Sequence, residues 1–356
     1  MVKSMARGLT KELEGVEKVR RGRIMRYGDA VKYLMGLPGA SGYGSKSTGE
    51  EVTEGVSLSC NLTAIITGAT SGIGAETARV LAKRGVKLVI PARDIKRAVE
   101  VKKIILRESP QAEIIIMEMD LSSFDSIQTF CSNFISLGLP LNILINNAGK
   151  YNQRLDLSGD KFEMTFATNY LGHYLLTELL LEKMVQTAST TGIEGRIINL
   201  SSVVHSWVGR GGFQFCNMLN PKEYNGTLVY AQSKLANILH AKEIARQLRE
   251  RKVKVTANAV HPGIVNTGII RDYKGLITDL TFFLVSRLLK SIPQGASTTC
   301  YAALSSQMIG VSGRYLADCN DRICSNLAED EKEAQKLWEE THALIQKRLV
   351  SQSYCA

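Results

Sequence analysis

From Leu62 onward the chain alternates short aliphatic runs with longer stretches of helical character, and this alternation restricts the fold more than any single motif. The runs are "LTAIIT", "VKLVI", "EIIIM", "LNILI", "RIINL", "VKVTANAV" and "GRYLA". Most are apolar at every position. A strand needs that pattern when both of its faces are covered, as in a parallel sheet. Strands that alternate with helices close into a doubly wound sheet through right-handed crossovers. Ligands of such sheets bind beyond the carboxyl ends of the strands, so functional residues are expected just after each run.

After the first run comes "GATSGIGAETARVLAKRG", which places Gly68, Gly72 and Gly74 in a GxxxGxG turn between a strand and a helix. Glycines let backbone approach a pyrophosphate, and the helix N-terminus offers free N–H groups. After the second run comes "PARD". Arg93 stands where a dinucleotide site would carry an acid for a ribose 2′-hydroxyl or an Arg for a 2′-phosphate. An Arg there favours NADP(H), while Asp94 one place later leaves NAD(H) open. The plain alternative is a solvated loop cation. Asp120 and Leu121 follow the third run, where Asp120 could accept from an adenine amino group or cap the next helix. "NNAG", Asn146 to Gly149, follows the fourth, as a site of close cofactor approach or as an Asx turn.

The helical stretch "TLVYAQSKLANILHAKEIARQLRE" sets Tyr230 and Lys234 one turn apart on one face. Pairs at that spacing decorate many surface helices. A close ammonium also makes a phenol a better acid and base.

Six ordered motifs carry a family resemblance. They are "TGATSGIG", "NNAG", "NYLGH" at Asn169 to His173, "NLSS" at Asn199 to Ser202, "YAQSK", and "HPG" at His261 to Gly263. Over roughly Leu62 to Leu349 the chain resembles the short-chain dehydrogenases/reductases. "TNYLGHYLLTELLL", "SKLAN" and "HPGIVNT" look like the branch that holds retinol dehydrogenases and the WW-domain oxidoreductase. "SGYGSKSTGEEVTEG" before the first strand looks like the plant group associated with the plastid inner-envelope translocon. The resemblance implies a single Rossmann-type α/β fold, with a mostly parallel seven-stranded sheet and helices on both faces. It implies a catalytic set: Tyr230 as proton donor and acceptor, Lys234 as its electrostatic partner and ribose ligand, Ser202 orienting the substrate oxygen, and Asn169 supporting a proton-relay water. Cofactor contacts are implied for Gly68, Thr70, Ser71, Gly72, Ile73, Gly74, Arg93, Asp120, Leu121, Asn147, Ala148, Gly149, Tyr230, Lys234, Pro262, Gly263 and Thr267.

Several expectations follow. The chain is read as an NADP(H)-dependent oxidoreductase that interconverts a carbonyl and an alcohol on a lipophilic small molecule. The alternative is a redox-sensing, NADP(H)-binding scaffold, with Trp338 in "EAQKLWEETHALIQKRLV" offered to a protein partner. Residues 1–60 are read as a basic, Gly/Ser-rich arm, partly irregular, and deletion through Gly49 is expected to spare the fold. Residues 61–350 form the catalytic domain, with a substrate lid at about 268–292, and 351–356 a tail. The long insertion after Ser202 either walls the substrate pocket through Trp207, Phe213 and Phe215 or folds as a surface loop.

Composition narrows the partners. The formal net charge of +10 suits a phosphate-bearing cofactor or an anionic surface. No nucleic-acid motif accompanies it, so no nucleic-acid partner is expected. The seven cysteines are scattered and include no CxxC pair, so neither disulfides nor zinc are expected. His205 lacks partners at ligand spacing, and no metal is expected. This points to a reducing compartment and not to secretion; the resemblance to the plastid group implies the chloroplast, with the cytoplasm as the alternative. No apolar run approaches the ~20 residues of a membrane span. Peripheral membrane contact, a homo-oligomer and a protein-complex partner stay open.

Overall fold

The computed structural model describes residues 32–56, 62–209, 213, 220, 224–265 and 289–353. Its strands are β1 (Thr63–Ile66), β2 (Lys87–Ala92), β3 (Ile114–Glu118), β4 (Ile143–Asn146), β5 (Gly195–Leu200), β6 (Val255–His261), β7 (Tyr315–Ala317) and β8 (Asn320–Asp321). They lie in one sheet in the order β3-β2-β1-β4-β5-β6-β7-β8. All neighbours pair in parallel except β7 and β8. The order reverses between β1 and β4, so the crevice for a ligand opens at their carboxyl ends.

Successive strand residues point to opposite faces, and the aliphatic runs serve both. Ile65, Val89, Leu144, Ile197 and Ala257 enter one core, with Phe124, Tyr170, Leu176, Leu239 and Leu337. Ile66, Ile90, Ile145, Ile198 and Val260 enter the other, with Leu81, Ile105, Ala296 and Tyr301. The first core lies under α3 (Phe124–Ser136), α4 (Gly172–Thr191), α5 (Gly226–Glu250) and α7 (Glu331–Ser353). The second lies under α1 (Gly72–Lys83), α2 (Ile95–Glu108) and α6 (Ile292–Leu304). Helix starts follow from local chemistry. The side chains of Asp94, Ser123 and Asn225 accept backbone N–H groups at the starts of α2, α3 and α5. Ser291 and Gln294 form a capping box on α6.

One sequence expectation needs correction. The described sheet has eight strands, not seven. The extra strand is two polar residues reached through a tight hairpin, with Asp318 and Cys319 both at positive φ (53° and 61°). Two-residue hairpins require that backbone but usually announce it with Asn-Gly or Asp-Gly, so "DC" carries no readable signal. The N-terminal region also docks on the domain over residues 39–56. Asn320 accepts from the Ser41 amide and donates to the Tyr43 carbonyl, both at 3.0 Å. The Gly49 amide donates to the Pro293 carbonyl at 3.0 Å. The Glu50 carboxylate meets Arg79 at 2.7 Å and Lys83 at 2.6 Å, and Val52 is buried in the second core. These contacts count against a dispensable tail up to Gly49.

Removing residues 1–56 should therefore lower the thermal midpoint by roughly 5 °C or more, since the buried side chains of Ser45, Val52 and Thr53 and several paired groups are lost. Removing residues 1–31 should cost far less. Calorimetry that finds the full chain and the 1–56 deletion melting together would refute the docking.

Candidate active site

Thr67, just past the end of β1, ties the two sides of the crevice together. Its Oγ1 accepts from the Asn147 and Ala148 amides at 2.9 and 3.0 Å. In return the Asn147 side-chain amide donates to the Thr67 carbonyl at 2.8 Å. The turn and "NNAG" are thereby one unit. Gly68 has φ +66°, and a Cβ there would fall 2.7 Å from Ala148 Cα. A Cβ on Gly74 would fall 2.3 Å from the Gly68 carbonyl oxygen. Glycine at 74 thus serves the packing of α1 on the turn, not only approach to a phosphate. Gly72, at φ +55°, opens α1 behind Ser71 and presents its first amides toward the crevice mouth. This cradle of backbone donors, which larger side chains would fill, fits a pyrophosphate.

From Thr67 a directional chain runs to Asn169. His173 Nδ1 lies 3.0 Å from the Asn169 carbonyl, which only accepts, so Nδ1 carries the proton. Nε2 must then accept from the Thr67 hydroxyl at 2.8 Å. Burial holds the imidazole at about 4 and keeps it neutral. Asn169 sits in a single π turn, Ala167–Leu171, just before α4; such turns recur at functional sites. Its side chain accepts from the Lys150 amide at 2.7 Å. It donates to the Lys150 carbonyl at 2.9 Å and to Ser233 Oγ at 3.1 Å. The amide therefore clamps the loop after "NNAG" to α5.

Tyr230 and Lys234 lie on α5, with Lys234 Nζ 5.5 Å from the Tyr230 ring centre. The Lys234 ammonium donates to the Leu200 carbonyl at 3.1 Å. Only 4% of the residue is exposed, and burial lowers its pKa from 10.5 to about 8. A Cβ on Gly149 would stand 3.5 Å from Nζ and 3.9 Å from Asn169 Oδ1. Gly149, Asn169 and Lys234 therefore share one small space beside the tyrosine. Ser202 follows β5 in an extended conformation, half-buried, and caps the 3-10 turn Val203–Trp207. Tyr151 packs edge-on against the Tyr230 ring at 5.8 Å and lines a cavity of about 470 Å³ with residues up to Asp156.

At the outer end of the crevice β2 runs through Pro91 without breaking, and Pro91 keeps its register with Met117. Arg93 follows the strand directly. Its side chain is 74% exposed and 4.0 Å from Asp120. Asp94 is spent locally, capping α2 through the Arg97 amide and lying 3.3 Å from Arg97 Nε. Asp120 Oδ1 accepts from the amide and hydroxyl of Ser122, an Asx turn, while Ser123 caps α3. Leu121 is buried against Gly172. Pro262 and Gly263 end β6 at the crevice, and Gly263 has φ +88° with Lys290 packed on it. Thr267, Phe215 and most of the expected lid lie outside the described residues. Phe213 packs on Phe166 at 5.3 Å, and Trp207 is exposed.

Sequence reading missed the residues that hold the site. Ser201 Oγ donates to the Lys234 carbonyl at 2.7 Å, and Asn237 donates to the Leu200 carbonyl at 2.8 Å. Asn146 joins Asn199 at 2.8 Å and Thr177 at 3.0 Å across the sheet centre. The polar positions of α5 three residues after Tyr230 and Lys234 were a usable signal for Ser233 and Asn237.

Residues 62–274 match the family profile described as short chain dehydrogenase. The chain is similar to "Short-chain dehydrogenase TIC 32 B, chloroplastic" of Brassica napus, at 47% identity over 88% of this chain and 97% of that one. It is 38% identical to retinol dehydrogenase 12 of Mus musculus, over 77% and 83% of the two chains. A solved structure of an uncharacterized protein from Mycobacterium paratuberculosis aligns with TM-score 0.62 and 28% identity, over 82% of this chain and 96% of that one. An actinorhodin polyketide ketoreductase solved with NADPH aligns with TM-score 0.59 and 22% identity over 77% and 100%, a likeness of fold.

A buried ammonium with no carboxylate beside it costs stability. Lys234→Met should therefore raise the stability of the cofactor-free protein at pH 7, by up to on the order of 3 kcal/mol; Asn237 still satisfies the Leu200 carbonyl. Between the folded pKa near 8 and the unfolded value of 10.5 the native state sheds its proton first. Wild-type stability then rises with pH relative to the variant, and the gap should shrink. Denaturant melts at pH 7 and pH 9.5 that show a less stable Met variant, or a gap that widens, would contradict this.

Proposed function

The chain belongs to the short-chain dehydrogenase family and is an oxidoreductase acting on CH–OH and C=O groups; from that premise we propose that it uses NADP(H) to interconvert a lipophilic carbonyl and its alcohol, with Tyr230 moving the proton. The observation that carries the reading is the pairing of Tyr230 with the buried ammonium of Lys234, which meets no carboxylate among the described residues and faces Gly149. A cation there favours the phenolate, which lets a phenol exchange protons near neutrality.

The turn at Gly68–Gly74, Asn147 to Gly149 and Pro262–Gly263 would hold the cofactor, whose nicotinamide supplies or accepts the hydride when bound. In reduction, Tyr230 Oη gives its proton to the substrate oxygen, and in oxidation the phenolate takes one. The Ser202 hydroxyl donates to that oxygen as charge develops. Lys234 keeps one hydrogen of its ammonium on Leu200 and turns the others to ribose hydroxyls. Asn169 fixes the loop that carries Gly149, and so the distance from the cofactor to Lys234.

NADP(H) is favoured because Arg93 is exposed at the end of β2 while Asp94 is committed to capping α2. A guanidinium matches a phosphate with a planar fork. A lipophilic substrate is favoured because Val203, Trp207, Leu228 and Ile264, each close in sequence to a site residue, are exposed apolar side chains. The scaffold reading loses its main support. Trp338 packs on Tyr174 at 4.8 Å and on His240 at 5.6 Å, inside the first core's border. We also infer a plastid location from the chloroplastic relatives, with peripheral rather than spanning membrane contact. Among the described residues no helix is long and apolar enough to cross a membrane.

One kinetic series tests the chemistry. Tyr230→Phe should lower turnover by roughly a thousandfold with cofactor affinity little changed. Arg93→Ala should weaken NADPH binding roughly tenfold and leave NADH binding alone. Near-normal turnover of the Phe variant, or an unaltered NADPH preference in the Ala variant, would remove the corresponding assignment. Location is checked separately: a full-length fluorescent fusion expressed in leaf cells should mark plastids, and a purely cytosolic signal would exclude that inference.

A further inference from the structure

The turn that carries Ser202 out of β5 is mostly solvent-exposed, and His205 is its one buried residue. Ser202 is poorly held by its own side chain, since the cap from the Val204 amide to Ser202 Oγ is 3.5 Å long. Its backbone is held instead. The Ser202 carbonyl accepts from the His205 amide at 3.2 Å and lies 2.7 Å from His205 Nδ1. A carbonyl only accepts, so Nδ1 carries the ring proton. On the other side of the ring the Ser325 amide, which only donates, lies 3.1 Å from Nε2. Both partners therefore demand the same neutral tautomer. The ring is 4% exposed and rests edge-on against Tyr315 at 5.1 Å. Ser325 in turn caps the short helix Asn326–Glu329 that leads into α7.

We propose that His205 is a positioning residue for Ser202: an Nδ1-protonated imidazole strut that ties the serine's carbonyl to the Ser325 amide, so that the segment before α7 sets the pose of the substrate-orienting hydroxyl. The proposal rests on the role given to Ser202 above. It assigns a function to a buried histidine that is 120 residues from its second partner in sequence.

The geometry separates the two halves of the strut chemically. An Asn at 205 places a donor near the position of Nδ1 and can restore the bond to the Ser202 carbonyl. A Gln reaches the position of Nε2 and can accept from Ser325 without serving Ser202. With NADPH and nonanal, His205→Ala should lower kcat about 10- to 100-fold, the size of effect a displaced reacting group produces, while the NADPH Kd stays within about twofold. His205→Asn should recover most of kcat, and His205→Gln should stay near the Ala value even where its thermal midpoint is restored. Crystals of the Ala and Asn variants should show Ser202 displaced in the first and restored in the second. Nitrogen-15 spectra of histidine-labelled wild type should show the proton on Nδ1 at pH 7. A kcat for the Ala variant within twofold of wild type, rescue by Gln equal to that by Asn, or a proton on Nε2 would each overturn the strut. If wild type does not reduce nonanal, it is the proposed substrate class that falls, and the pose of Ser202 in the variant crystals still decides the strut.

Discussion

The Thr67 hydroxyl is the interaction on which the site depends. One oxygen accepts from two successive amides of "NNAG", and its single hydrogen goes to His173, which holds Asn169. The ends of β1 and β4, the Gly-rich turn and the start of α4 are thereby registered to each other before any ligand arrives. Every member is neutral and every partner's direction is forced, so the network has one arrangement. A fully satisfied buried network of this kind specifies geometry, where a partly satisfied one would only add cost. Preorganisation of that sort is what a hydride transfer asks of a protein, because the reacting atoms must be aligned and not merely near.

How much of this is legible in the sequence varies with the range of the interaction. The parallel sheet is legible because continuous apolar runs have no other common use at that length, and both cores draw on alternate residues of each run. The turn glycines and the Tyr230–Lys234 pair are legible because their geometry is set within a few residues. The π turn at Ala167–Leu171 is not, since "ATNYL" has an ordinary helical composition and the extra residue per turn leaves no mark in it. β8 is hidden because Asp318 and Cys319 adopt positive φ without the usual glycine. The docking of residues 39–56 is hidden for a different reason. Gly39 and Gly44 suggest a loose arm, yet a Cβ on Gly39 would stand 2.3 Å from Asn320 Oδ1. There the glycine marks close approach to a partner some 280 residues away, and only the fold reveals it.

The treatment of buried charge separates architecture from chemistry. Lys290 is buried with Asp318 at 2.7 Å, and Glu243 is buried with Arg246 at 2.7 Å. Each has an opposite charge to offset its loss of water, and either pair could be exchanged for apolar residues in a protein built for stability alone. Lys234 is different. Burial lowers its pKa, no carboxylate pairs with it among the described residues, and its hydrogen bond runs to a backbone carbonyl. The surrounding histidines add no further positive charge. His173, and likewise His261, which reaches about 4, are held neutral by burial. A lone ammonium in such surroundings destabilises the empty fold, and selection for stability would remove it. Its presence makes sense if a ligand supplies hydroxyls for its remaining hydrogens while the ionised form of Tyr230 beside it balances its charge during the reaction. The residue that is worst placed for stability is therefore the one that most directly argues for catalysis.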